Sequence, residues 1–218
     1  LVQTIYQYWP AKSYTEHNLL RHARLREKVK EAWLTGTQVN FCAKSYPTVP
    51  VEHPDSAPLT VLGGFLRNGY LHRVIREQGG AYGGGAAQDS GIAAFRFYSY
   101  RDPRLEETLD DFDKSLLWLE TENHPYSRLE EAILGVIGSI DKPKSPAGEA
   151  KSDFHQLLGG KTQLQQQAFR QQILKVTLDD LKRVAAQYLK PEYASIALVT
   201  HEGNETRVTD LGLEVKRL

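Results

Sequence analysis

Residues 76–85 read REQGGAYGGG, and five of the seven positions from Gly79 to Gly85 are glycine. Arg76 stands before these glycines and Tyr82 among them. An arginine is always charged and presents a fork of donors suited to a carboxylate or a carbonyl. A tyrosine offers a hydroxyl that is neutral, and able to donate, at ordinary pH. Glycine loses more conformational freedom on folding than any other residue, so it is dense only where backbone shape or close approach matters. A helix ending at Arg76 and Glu77 and followed by glycines lets the chain reverse tightly, which places Tyr82 back near Arg76. On the residues alone a plainer account also stands: Arg76 pairs with Glu77 or a neighbour, and Tyr82 is a half-buried strand aromatic.

Other chemistries fail on spacing. The dinucleotide fingerprint needs Gly-x-Gly-x-x-Gly between a strand and a helix. No frame through 79–85 supplies it, and here the helix comes before the glycines. The one Gly-Lys-Thr, Gly160-Lys161-Thr162, has His155 where a phosphate loop needs its first glycine. The seven histidines are scattered, and the nearest approach to His-x-x-Glu-His is Ser13 to His17, with serine in the first ligand position. No metal site is expected: His17 reads as a solvated helix residue, and His72, one turn before Arg76, as a surface or packing residue. The single cysteine, Cys42, can form neither a thiolate cage nor an internal disulfide, and reads as a small core side chain. No Gly-x-Ser-x-Gly elbow signals a serine hydrolase.

Composition narrows the class. With 40% hydrophobic and 25% charged residues, the 218-residue chain has the make-up of a globular protein. Lysine plus arginine (27) balances aspartate plus glutamate (27), so there is no basic footprint for nucleic acid or a membrane surface. No apolar run approaches the ~20 residues needed to cross a bilayer. The chain contains no methionine, not even an initiator, which leads us to expect a fragment or a processed product.

Periodicity gives the elements that must position the corner. Residues 15–33 lack glycine and proline and are expected to be helical, ended by Gly36. In residues 37–46, Val39, Phe41 and Ala43 alternate with Gln38, Asn40 and Lys44, which predicts a half-buried strand with the first three on its apolar side. Asp55 or Ser56 can cap a helix carrying Leu59, Leu62, Phe65 or Leu66, Tyr70 and Val74 to Arg76. Two strands joined near Asp89-Ser90-Gly91 would form a hairpin. A helix starting near Pro103 carries Leu105, Leu109, Phe112, Leu116 and Leu119 on one face, and a second carries Leu129, Ile133, Val136 and Ile140. Residues 141–150 read as a loop, residues 162–175 and 177–189 as helices with Thr177 capping Asp180, and 194–200 as a buried strand before a polar tail. The order indicates an α+β fold: an antiparallel sheet with helices packed on one face.

The run Leu-His-x-x-x-Arg-Glu, residues 71–77, leading into Gly-Gly-Ala-Tyr-Gly, residues 79–83, resembles the C-terminal half of pitrilysin-type zinc metallopeptidases, in their presequence-protease branch. The likeness covers most of residues 37–200 and is concentrated in 66–86. It implies a chain of four homologous α+β domains paired as two halves around a closed chamber. It further implies zinc held by the N-terminal half on an inverted His-x-x-Glu-His motif, with none in this fragment. The C-terminal half is then expected to contribute Arg76 and Tyr82 as catalytic and substrate-binding residues, with Gly79, Gly80 and Gly83 close to the peptide backbone. In that reading residues 1–36 are a linker or helical tail of the preceding domain, and 37–218 the last metallopeptidase-like domain. The implied partners are a peptide substrate and the N-terminal half of the same polypeptide. The implied compartment is the bacterial cytoplasm or, in a eukaryote, the mitochondrial matrix or a plastid. Domains of this superfamily also serve as non-catalytic scaffolds or peptide-holding subunits, the alternative reading.

Overall fold

The computed structural model describes residues 27–158 and 162–217. The strands are β1 (Lys30–Thr35), β2 (Asn40–Pro47), β3 (Gly83–Asp89), β4 (Ala94–Asp102), β5 (Ser195–His201) and β6 (Glu214–Arg217). They form one open sheet in the order β3-β4-β2-β5-β1-β6. The helices are α1 (Ser56–Leu66), α2 (Glu106–Thr121), α3 (Tyr126–Ile140), α4 (Pro146–Leu158), α5 (Gln163–Ile173), α6 (Leu178–Tyr188) and α7 (Glu205–Asp210). The α+β architecture is the expected one, but the sheet is mixed. The β3, β4, β2 and β5 neighbours are antiparallel, whereas β1 lies parallel to β5 and β6. Residues 30–35 and 195–201 are far apart in sequence, so a long crossover joins them and a parallel pairing is open to them.

Strand β1 corrects the helix expected over residues 15–33. Ala32 and Leu34 are fully buried while Glu31, Trp33 and Thr35 face the other way. That two-residue period, satisfied by pairing on both sides, overrides helix propensity, which is a weak prior. The rest of the expected helix, through residue 26, lies outside the described residues.

Strand β2 has the expected period and the opposite phase. Asn40, Cys42, Lys44 and Tyr46 are buried, and Phe41 is 39% exposed. The polar members are satisfied inside: Asn40 Nδ2 donates to the carbonyls of Asp102 (3.1 Å) and Arg104 (3.0 Å), and Lys44 Nζ bonds Asp113 at 2.6 Å. Buried polar groups with partners are tolerated. The opposite face stays open, leaving Phe41, Arg96 and Tyr100 exposed.

Helix α1 continues as a wide π-type helix over Arg67–Gln78. Widening explains a second shift. Leu59, Leu62, Phe65 and Leu66 are buried as expected, but further on Leu71 and Ile75 take the buried places, not Tyr70 and Val74. A turn with i→i+5 bonding carries more residues than an α-turn, so the stripe slips by one. The buried face packs on β3, with Gly63 against Ala86 and Ala87 and Ile75 against Gly84, and Phe95 and Phe97 of β4 belong to the same core. Phe97 stacks on Phe112 at 5.4 Å between centroids and meets Tyr46 edge-on at 6.2 Å. Burial of such a ring stabilises by about 1.5–3 kcal/mol.

Elsewhere α2 begins at Glu106, with Pro103 outside it. The loop expected over 141–150 gives way to α4 at Pro146, a residue suited to a first helical position. The polar tail forms α7 and β6. Thr177 and Asp180 close the expected capping box: Thr177 Oγ1 accepts from Asp180 N–H, and Asp180 Oδ2 from Thr177 N–H, both at 3.1 Å.

Candidate functional site

The corner between the wide helix and β3 carries Arg76 and Tyr82. The helix closes through Gly80 N–H to the Arg76 carbonyl and Ala81 N–H to the Ile75 carbonyl, both 3.1 Å. This resembles the common glycine closure of helices, one residue wider to match the π-type turn. Gly80 takes the left-handed conformation the reversal needs, at φ +79°. The chain therefore returns to the level of Ile75 and Arg76, and Tyr82 is the next residue.

The Arg76 side chain is exposed and makes no hydrogen bond or ion pair among the described residues. Glu77 does not hold it: Glu77 Oε1 lies 3.3 Å from His72 Nδ1. Tyr82 is not a half-buried strand aromatic either. It precedes β3, is 63% exposed, and its hydroxyl has no partner among the described residues. Its ring is held at the back, 5.6 Å from the Tyr100 centroid and 5.6 Å from the Arg101 guanidinium carbon, while its N–H donates to the Arg101 carbonyl at 3.3 Å. An exposed cation over a ring contributes about 0.5–1 kcal/mol.

Two of the three expected glycines make room for this chain's own side chains. A β-carbon on Gly79 would sit 2.1 Å from Arg104 Nη2, and one on Gly83 would lie 2.6 Å from the Tyr100 ring. Gly83 thus lets Tyr100 lie across β3 and reach Tyr82.

Sequence reasoning missed the scaffold under this corner. Between Asn40 and Cys42 the pairing shifts: Asn40 faces Asp102 while Cys42 faces Ser99. Strand β4 therefore carries one extra residue, a β-bulge, and Arg101 adopts φ +49°. Bulges re-aim side chains and recur beside functional sites. The bulge is pinned by Asp102, fully buried, whose Oδ1 accepts from Arg104 N–H (2.9 Å) and whose Oδ2 accepts from Thr108 Oγ1 (2.8 Å). Asn40 extends the network to β5 by accepting from Thr200 Oγ1 at 2.5 Å. Nothing local announced it: the alternation over residues 37–46 set Asn40 on the polar side.

Among the described residues no three of His, Cys, Asp and Glu gather as a metal cage, so these residues do not fit zinc. Among them, too, no helix is long and apolar enough to cross a membrane. The Cys42 thiol is buried, and burial pushes it up to about 12.

Residues 30–201 match the family described as the PreP C-terminal domain. The chain belongs to that family. The chain is 43% identical over 161 residues to the mitochondrial presequence protease of Yarrowia lipolytica, a match covering 73% of the chain and 16% of that protein. It spans about a sixth of the length of that relative. Among solved structures, a protease from Helicobacter pylori shares the fold at TM-score 0.67 and 18% identity, over 79% of this chain and 44% of that one. Pitrilysin does so at TM-score 0.57 and 15% identity, over 87% of this chain and 22% of pitrilysin.

Proposed function

We propose that this chain is the C-terminal, non-zinc-binding part of a zinc metallopeptidase that degrades unstructured peptides in a closed chamber. In it Arg76 and Tyr82 reach the substrate. The observation carrying this reading is that the Arg76 and Tyr82 side chains are both exposed with no hydrogen-bond partner among the described residues, while the backbone behind them is held by hydrogen bonds. Such groups break no existing hydrogen bond when they meet a ligand, and a donor aimed at developing charge stabilises a reaction electrostatically. Tyr82 donates its hydroxyl proton as a hydrogen bond to the oxygen of a peptide carbonyl under attack. Arg76 holds a neighbouring carbonyl or a carboxylate of the peptide. Gly79, Gly80 and Gly83 contribute shape: the tight reversal, and space for Arg104 and Tyr100, so that the peptide backbone can come close. Zinc is held by residues outside this chain, in the N-terminal half of the same polypeptide.

The test is steady-state kinetics of the full-length parent on an unstructured peptide of about thirty residues. Arg76→Ala is expected to raise KM about tenfold or more, since it removes a ground-state contact. Unchanged kcat and KM would remove Arg76 from the site. A parent that cleaves nothing with zinc supplied would replace the peptidase reading by the scaffold one.

A further inference from the structure

We infer that Arg104 is a positioning residue for the Arg76–Tyr82 corner, an inference that rests on the reading of that corner given above. Arg104 follows β4 by two residues, and its backbone is fixed on both sides. Its N–H donates to Asp102 Oδ1 at 2.9 Å, and its carbonyl accepts from Asn40 Nδ2 at 3.0 Å. From this anchor the side chain runs beneath the glycine corner, three-quarters buried. Nη2 donates to the Val74 carbonyl at 3.1 Å and stands 3.0 Å from Asp111 Oδ2, a contact of charges out of line for a hydrogen bond.

Each contact bears on the corner. The last carbonyls of a helix lack partners in the helix itself, and a cation beside them also meets the negative end of the helix dipole. Arg104 supplies both to Val74, two residues before Arg76. Its guanidinium then fills the space over Gly79, where a β-carbon would lie 2.1 Å away. The strand that ends in the Arg101 bulge is thus tied to the helix that ends in Arg76. Tyr82, whose N–H is bonded to the Arg101 carbonyl, sits between the two. Arg104 Nε is buried with no partner among the described residues. That cost is tolerated where the remainder of the side chain fixes a geometry. Arg104 touches no substrate; it acts through the two residues that do.

The experiment uses the full-length parent with Arg104→Met, which keeps the stem but loses the charge and the fork, and Arg104→Lys, which keeps the charge. Hydrogen exchange followed by mass spectrometry reads the peptides covering residues 71–83 and, as an internal reference, those of β2 and β5. In Arg104→Met the 71–83 amides are expected to exchange ~10-fold faster or more while the reference strands stay unchanged, the mark of local opening. On an unstructured peptide kcat is expected to fall ~10–100-fold through Tyr82, as misplacement of reacting groups does, and KM to rise through Arg76. Arg104→Lys should recover part of both effects. In a Tyr82→Phe background Arg104→Met should cause little further loss of kcat, since that part of its effect acts through the lost hydroxyl. Exchange at 71–83 that stays unchanged, or rises equally in β2 and β5, overturns the positioning role whatever the kinetics show. If instead exchange rises locally while Tyr82→Phe keeps the full rate, Arg104 still fixes the corner and the catalytic reading of Tyr82 is what fails.

Discussion

Arg101 holds Tyr82 twice, by its carbonyl on the Tyr82 N–H at 3.3 Å and by its guanidinium 5.6 Å over the ring. It does so from a left-handed backbone, φ +49°, that costs a non-glycine residue about 1–2 kcal/mol. Replacing Arg101 by glycine relieves that strain, but it also removes the cation and adds chain entropy to the unfolded state. These terms nearly cancel, so denaturant unfolding of Arg101→Gly should stay within about 1 kcal/mol of the parent sequence. Turnover should nevertheless fall, because the Tyr82 ring loses its cover. A large stability loss with normal turnover would show that the bulge serves the fold alone.

Asn40 is expected to be the most sensitive polar position of the sheet. Asn40→Ala deletes three hydrogen bonds and leaves buried partners on Asp102, Arg104 and Thr200. Orphaned buried groups cost about 1–3 kcal/mol each, so a loss of several kcal/mol is expected in urea titration. A change below about 1 kcal/mol would mean that water replaces the side chain.

How much of this was open to sequence reading divides along physical lines. The amphipathic helices, the hairpin and the Thr177 cap were legible, because each depends on neighbours in sequence. The phase of β2 was not: whether Phe41 or Asn40 faces inward depends on Asp102, Arg104 and Thr200, between 60 and 160 residues away. Strand β1 hid among straight-chain residues, since only its partners β5 and β6 distinguish it from a helix. At the corner the glycine reversal could be read locally, but the residues alone left open whether Arg76 pairs with a neighbour and Tyr82 is half-buried. The Arg101 bulge and the Arg104 tether could not be read, because nothing near them in sequence announces a register shift.

Cys42 offers a check on the inner face of β2. With burial raising its thiol to about 12, the thiolate fraction at pH 8 is about one in ten thousand. Alkylation followed by mass spectrometry should leave Cys42 unmodified in native buffer and modify it fully in denaturant. Rapid native labelling would place Cys42, and the strand's phase, on the open face.

Acid sensitivity should centre in part on Asp55, at the start of α1. Burial alone would raise its carboxyl, but bonds from Arg183 Nη2 and Tyr188 Oη, each 2.7 Å, outweigh it and hold the group below its ordinary value. A carboxyl so depressed contributes stability that is present above the unfolded value, near pH 4, and is lost as pH falls through the folded one. Asp55→Asn should therefore cost about 1–2 kcal/mol at pH 7, with the gap to the parent sequence closing as pH drops below about 4. A gap independent of pH would show that the pairing contributes no charge-dependent stability.

The central claim is that Tyr82 meets the reacting carbonyl, and Tyr82→Phe in the full-length parent tests it most directly. Removing a transition-state donor typically lowers turnover ~10²–10³-fold, with little change in affinity for an unstructured peptide. That fall, in a variant whose unfolding midpoint is unchanged, is the result expected here. A parent that is active and a variant that keeps its full kcat would contradict the account, reducing Tyr82 to an exposed ring packed beside Tyr100.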